Sequence, residues 1–485
     1  MRYPPRLMHV LLVAAELAPW IKVGGLADVV GSLPKALRAQ EVDARVCVPA
    51  FASVLERAPD PRSIARFDVP HHGGPIPAEV FESVLDGVPV YLIAGGPIPP
   101  DSIAYTGRPD EDGRRFAFFS LAALELARRL RPDVLHAHDW HAAVATYELA
   151  RRRPDDPALS GISSVLTIHN LPYAGGGTER ELAAFGVPPS DDPRLPAYHR
   201  LLPLALGLSS ADRLTTVSAG YRDEILGPEH GSGFDRLLRS RADDLSGILN
   251  GLDEARWDPS TDRELAACFD ASDRTGRAGC RAALHEELGF EDDGAPLVGL
   301  VSRLAPQKGV DVALDALRRL EQPFRAVLLG SGDPHLEHAL RVFAAERPTT
   351  VLSYVGFDDG LARRIYAGAD MMMVPSRYEP CGMTQLIAMR YGCVPVACET
   401  GGLADTVRDL DLSDVPTGVL FPDASPSAAV FALRRAFATF SRKEEWARLV
   451  RNGMATDFTW ARSARAYMDI YEELARARAP GERHR

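Results

Sequence analysis

Three separated stretches of this chain carry cations where an anion could be held. Lys22 stands two residues before a glycine pair in Lys22-Val23-Gly24-Gly25-Leu26. Glycines at a helix start let backbone N–H groups approach an anion, and the ammonium would point at the same oxygens of a diphosphate. The bland alternative is an exposed loop lysine. The order G-x-x-x-x-G-K-[ST] is missing, which argues against a P-loop triphosphatase. Arg303 and Lys308 fall in Ser302-Arg303-Leu304-Ala305-Pro306-Gln307-Lys308-Gly309, directly after a predicted strand, where open α/β sheets bind ligands. Charge-assisted hydrogen bonds contribute about 1.5–3 kcal/mol each, so three such cations could anchor a diphosphate. The third stretch runs from Pro375 to Gln385. Pro380 and Gly382 interrupt it, and the helix opening at Met383 and Thr384 offers unpaired amides to a phosphate. Glu379 is electrostatically awkward beside an anion. An acid there suits sugar hydroxyls or a developing positive charge, or else serves as a helix N-terminal residue. Cys381 has no paired base and reads as packing or ligand contact.

A fourth cluster, His136-Ala137-His138-Asp139-Trp140-His141, invites a metal reading. Binuclear metallohydrolases use H-x-H-x-D-H after a strand, but here the aspartate is displaced by one position, which re-aims both the carboxylate and the last histidine. Polar lining of a cleft, with His169-Asn170 nearby, is the plainer reading. The six cysteines include no C-x-x-C pair, which fits a reducing cytoplasm. With 55 basic and 66 acidic residues the formal charge is −11, so a nucleic-acid partner is not expected. Arg2 and Arg6 precede the apolar stretch Met8 to Ala15 in the order of a signal peptide, but Glu16 and Trp20 interrupt it, and a buried strand entering a glycine-rich turn is the better fit. No apolar run approaches the roughly 18 residues of a membrane span.

The elements that must position these residues read as α/β. The length of 485 residues predicts two or three domains. Two regions alternate short apolar runs with amphipathic stretches, the pattern of doubly wound parallel sheets. Strands are predicted at His9 to Ala15, Ala44 to Pro49, Val88 to Ile93, Val134 to Ala137, Ser164 to Ile168 and Arg213 to Val217. A second set is predicted at Leu297 to Ser302, Ala326 to Leu329, Thr350 to Tyr354, Met371 to Val374, Val394 to Ala397 and Gly418 to Phe421. The expected divisions are 1–252, 253–457 and a final helical segment 458–485 that packs back on the first domain. Gly24-Gly25-Leu26-Ala27-Asp28-Val29-Val30 is echoed by Gly401-Gly402-Leu403-Ala404-Asp405-Thr406-Val407, each after a predicted strand.

Taken in order, these motifs resemble the bacterial glycogen synthases and plant starch synthases of glycosyltransferase family five. The resemblance covers nearly the whole chain, including Arg114 to Phe119, His138-Asp139-Trp140, Thr167 to Asn170 and Ile248-Leu249-Asn250-Gly251-Leu252-Asp253. It implies a GT-B fold, two Rossmann-like domains facing a cleft, and a cytoplasmic hexosyltransferase. Such an enzyme moves glucose from ADP-glucose to the non-reducing end of an α-1,4-glucan with retention. Neither metal nor other cofactor, and neither nucleic acid nor membrane, is implied. Carried onto matching positions, Lys22, Arg303 and Lys308 would hold the diphosphate, with Gly24, Gly25, Asn250 and the Cys381-Gly382-Met383-Thr384 turn also on the donor. Glu379 would meet sugar hydroxyls and favour the oxocarbenium-like state, His169 would lie near the transferred glucose, and Phe357 would stack on adenine where tyrosine is frequent. Asp28 and Asp139 would line the sugar or acceptor side. Ile387 stands where related families have a second glutamate, which favours the synthase branch. Trp140-His141 replaces a frequent Trp-Gln. The rival readings are a metal-dependent hydrolase on His136, His138, Asp139 and His141, and a non-catalytic glucan-binding scaffold.

Overall fold

A computed structural model describes residues 7–99 and 103–478. Arg2, Arg6 and the tail 479–485 of the last expected segment lie outside them. The chain forms two compact units, one from Met1–Gly251 together with Trp460–Arg485, the other from Leu252–Thr459. The expected divisions stood after 252 and after 457.

The first unit is built on a nine-stranded sheet in the order β3-β4-β5-β2-β1-β6-β7-β8-β9. Its strands are β1 His9–Val13, β2 Asp43–Pro49, β3 Arg62–Val69, β4 Ile76–Leu85, β5 Val88–Gly95, β6 Val134–His138, β7 Ser163–Ile168, β8 Arg213–Thr216 and β9 Leu245–Gly247. β1, β6 and β7 are buried along their whole length, as strands covered on both faces must be, and their apolar runs made them readable. The sequence reading missed β3, β4 and β9. β3 pairs antiparallel with β4, and β4 with β5, so this sheet is mixed and not purely parallel.

The second unit holds a six-stranded sheet ordered β12-β11-β10-β13-β14-β15, parallel throughout. Its strands are β10 Leu297–Val301, β11 Arg325–Gly330, β12 Val351–Val355, β13 Met371–Val374, β14 Val394–Cys398 and β15 Val419–Phe421.

Strand order decides where each unit can bind something. In the first sheet the winding reverses between β1 and β6, and in the second between β10 and β13. At such a reversal the loops leaving the two strands diverge and open a crevice at their carboxyl ends. The loops concerned are 14–24, 139, 302–309 and 375–383, which carry Lys22, Asp139, Arg303, Lys308 and Glu379.

The last helix, Trp460–Arg478, buries Trp460, Ala464, Tyr467, Ile470, Tyr471 and Leu474. Steps of three or four residues put these on one face, which packs with Val10, Leu12, Val29 and Leu33 of the first unit. Each large side chain so buried contributes about 1.5–3 kcal/mol.

Candidate active site

In the first unit, β1 runs into a loop that ends at the helix Gly25–Arg38. The loop is organised by a buried carboxylate that sequence reasoning missed. Glu16 Oε2 accepts the amides of Val23 at 2.7 Å and Gly24 at 2.9 Å, while the Tyr105 hydroxyl donates to Oε1 at 2.6 Å. The Gly24 amide, expected to face a ligand anion, is thus occupied by the chain's own anion. Lys22 Nζ lies 2.8 Å from Asp28 Oδ1, so the expected phosphate cation and the expected sugar-side acid form one exposed pair.

β6 ends in a second polar cluster. Asp139 has φ 56° and ψ −174°, a conformation that costs a non-glycine residue energy and is held by its neighbours. Its Oδ1 accepts the His169 amide at 2.7 Å, and its own amide donates to the Thr167 carbonyl. Burial raises the carboxyl to about 7, against the lowering effect of amides from His169 and Asn170. His138 Nδ1 and His169 Nε2 share a hydrogen bond at 2.9 Å. Burial depresses both rings, His169 to about 3, so both are neutral near pH 7.

The metal reading does not fit. His136 is held at both ring nitrogens, by Tyr471 at 2.7 Å and Thr167 at 2.6 Å, and so has no lone pair for a metal. His141 is buried against Tyr105, Phe116 and Trp140. Among the described residues no group of three or more His, Cys, Asp or Glu is placed to hold a metal ion. Asn250, after β9, is buried with its side-chain oxygen unpartnered among the described residues.

In the second unit the loops after β10 and β13 interlock. The Arg377 amide donates to the Gln307 carbonyl, and the Arg377 guanidinium clasps both oxygens of Asp311 at 2.9 and 2.6 Å. Gly309 sits at φ +61°, where a Cβ would fall 1.9 Å from the Pro375 carbonyl oxygen. These ties bring Lys308 Nζ within 2.5 Å of Glu379 Oε2, which also accepts the Ser376 hydroxyl at 2.9 Å. Oε1 of Glu379 makes no bond among the described residues. Arg303 is exposed and joins no ion pair among them. The amide of Gly402, in the echoed glycine pair, donates to the Glu379 carbonyl, and a Cβ on Gly402 would strike the Cys381 carbonyl at 2.1 Å.

Cys381 is buried, Gly382 lies at φ +78°, and the Gln385 side-chain amide ties the Cys381 and Gly382 carbonyls to Thr406. The helix Thr384–Arg390 follows, with Met383 at its cap, and its first amides precede any i−4 partner. Phe357 follows the edge strand β12 and is 87% exposed, so its ring stands free for a planar ligand. No hydrogen bond, ion pair or ring contact among the described residues joins the Phe357 or Asn250 side chain to the other candidates.

Two families of sequence match the two units. Residues 9–240 match the starch synthase catalytic domain, and residues 295–439 match the glycosyl transferases group 1. The glycogen synthase of Anaeromyxobacter sp. (strain Fw109-5) is 43% identical over 479 residues, covering 96% of this chain and 100% of that protein. That of Leptothrix cholodnii is 41% identical over 96% of this chain and 100% of its own. The catalytic domain of starch synthase IV from Arabidopsis thaliana, solved bound to ADP and acarbose, superposes with a TM-score of 0.87 at 33% identity over 97% of this chain and 100% of that one. Sucrose-phosphate synthase from Thermosynechococcus elongatus, at 18% identity and a TM-score of 0.63 over 97% of this chain and 100% of that one, shares the fold. Identity at this level along nearly the full length leads to one conclusion: the chain belongs to the glycogen synthase family and has the GT-B fold.

Proposed function

We propose that this protein is a cytoplasmic ADP-glucose:α-1,4-glucan glucosyltransferase that lengthens a glycogen-type acceptor at its non-reducing end with retention. The observation that carries the reading is the Lys308–Glu379 pair at the reversal point of the second sheet, with exposed Arg303 on the same loop as Lys308. An ammonium latched to a carboxylate is ready to exchange partners. When a diphosphate reaches Lys308, the pair opens, the ammonium meets the departing ADP, and Glu379 is freed towards the sugar. Lys22, paired with Asp28, would act in the same way from the first unit. Fixed cations aimed at the leaving group stabilise its charge without reorganisation in the transition state.

Glu379, with one oxygen held by Ser376 and the other unengaged, suits sugar hydroxyls and the positive charge growing at the anomeric carbon. The amides at Gly382 to Thr384 would add donors to the phosphate, and the Phe357 face would take the adenine. His169 and Asp139 would line the transferred glucose, with Asn250 and Gly25 completing the donor contacts, while the Gly24 amide stays on Glu16. The departing phosphate oxygen would take the acceptor hydroxyl's proton as that hydroxyl attacks on the same face. No side chain is assigned as nucleophile. ADP is preferred because the starch synthase IV relative holds ADP.

Steady-state kinetics with ADP-glucose and UDP-glucose side by side on glycogen test the reading. ADP release coupled to glucan growth is expected, faster with ADP-glucose. Glucan binding with no nucleotide release from either donor would return the protein to a scaffold role.

A further inference from the structure

His138 ends β6 and is fully buried. Its Nδ1 meets His169 Nε2 at 2.9 Å, and its Nε2 has no partner among the described residues. Its ring stacks on His136 with centroids 4.3 Å apart, and His136 is itself pinned at both nitrogens. The His138 plane is therefore fixed.

Both rings of the His138–His169 pair are neutral, so each carries one proton, and the hydrogen bond between them carries only one. If His169 Nε2 donated, the proton of His138 would sit on its own Nε2, leaving a buried N–H with nothing to bond. If His138 Nδ1 donates, the unpartnered atom is a lone pair. Buried N–H groups without acceptors are rarer than under-satisfied acceptors, because the lost bond to water is not replaced. The second arrangement puts the proton of His169 on Nδ1, the nitrogen the pair leaves unused.

We propose that His138 is a positioning residue that holds His169 as the Nδ1–H tautomer, presenting substrate with a hydrogen-bond donor suited to a hydroxyl oxygen of the transferred sugar. The sugar as substrate rests on the glucosyltransferase reading; the tautomer belongs to the free protein.

Nitrogen-15 NMR of the full-length, histidine-labelled protein near pH 7 reads the tautomer, with the His169 signals identified by their loss in His169→Asn. A protonated Nδ1 and a bare Nε2 are expected. His138→Phe keeps a ring on His136 but removes the donor. It should release His169 into a tautomer mixture and lower kcat about tenfold, the worth of one hydrogen bond, with a smaller change in KM. His138→Asn, whose amide can occupy the Nδ1 position, should restore both tautomer and rate, which separates the effect from a folding defect. A wild-type His169 protonated on Nε2, an unchanged tautomer in His138→Phe, or a His138→Asn as impaired as His138→Phe overturns the proposal. The expected tautomer in a protein that transfers no glucose supports the assignment and removes only the sugar.

Discussion

Glu379 and Lys308 define the chemistry one residue at a time. Replacing Glu379 by Gln keeps the size and a weaker acceptor for Ser376, but removes the charge that a growing oxocarbenium ion would meet. Turnover should fall by about 10²–10³ while the melting temperature stays near that of the parent, measured by ADP release and by thermal unfolding. A variant that turns over normally would take Glu379 out of the site. Asp139 gives a pH prediction of definite sign. Its folded value of about 7 stands above the ordinary 3.8, so the folded state binds the proton more tightly than the unfolded one. Its contribution to stability is therefore full below about pH 4 and is lost as pH rises through 7. Asp139→Asn should cancel that loss: its melting temperature relative to the parent should rise from pH 5 to pH 8, and a constant difference would refute the burial argument. Lys22 was picked out by the glycine pair that follows it, and Arg303 and Lys308 by their place directly after a predicted strand. Glu16 was not legible as a loop clamp, since its partner Tyr105 lies 89 positions away and neither residue sits in a recognisable spacing.

Secondary-structure elements set how firmly those residues are held. Gly309 joins the loops of β10 and β13, and Gly309→Ala combines a positive φ with a clash against backbone that cannot move aside. A loss of about 1–3 kcal/mol or more is expected, with donor binding weakened in parallel, as denaturant unfolding and calorimetry would measure. Tyr471→Phe leaves His136 Nδ1 buried without its partner at a cost of about 1–3 kcal/mol; a variant as stable as the parent would show that the bond carries nothing. All strands of the second sheet were readable, the inner ones because a parallel sheet buried on both faces needs continuous apolar runs such as Met371 to Val374, and the partly exposed edge strand β12 from Val351, Leu352, Tyr354 and Val355. β3 escaped because it is largely exposed, with Arg62, Ser63 and Asp68 breaking any apolar run, and β9 because Leu245-Ser246-Gly247 holds one apolar side chain, where the equally short β15 holds Val419, Leu420 and Phe421. Helix Trp460–Arg478 was visible from the spacing of Tyr467 and Tyr471, but not the bond that Tyr471 makes to His136, 335 positions away.

For the whole molecule, the net charge of −11 and a phosphate-bearing donor are compatible only if attraction is local. Screening reaches about 10 Å at 0.1 M salt, so raising ionic strength should increase KM for the nucleotide sugar while leaving KM for the uncharged glucan nearly constant. The opposite order would contradict cationic capture of the donor. The return of the chain to its first unit has a further consequence. Residues 252–459 are an insertion within the first unit, whose core around Val10, Leu12 and Val29 is finished only by Trp460, Tyr467 and Tyr471. The two crossings run side by side, with the Leu252 amide bonded to the Phe458 carbonyl at 2.7 Å. On the ribosome the first unit is therefore made first but completed last, and it waits with an uncovered apolar face while the second unit, contiguous in sequence, is free to close. A nascent chain halted after Thr459 should yield a protease-resistant second unit beside a first unit that is still cleaved.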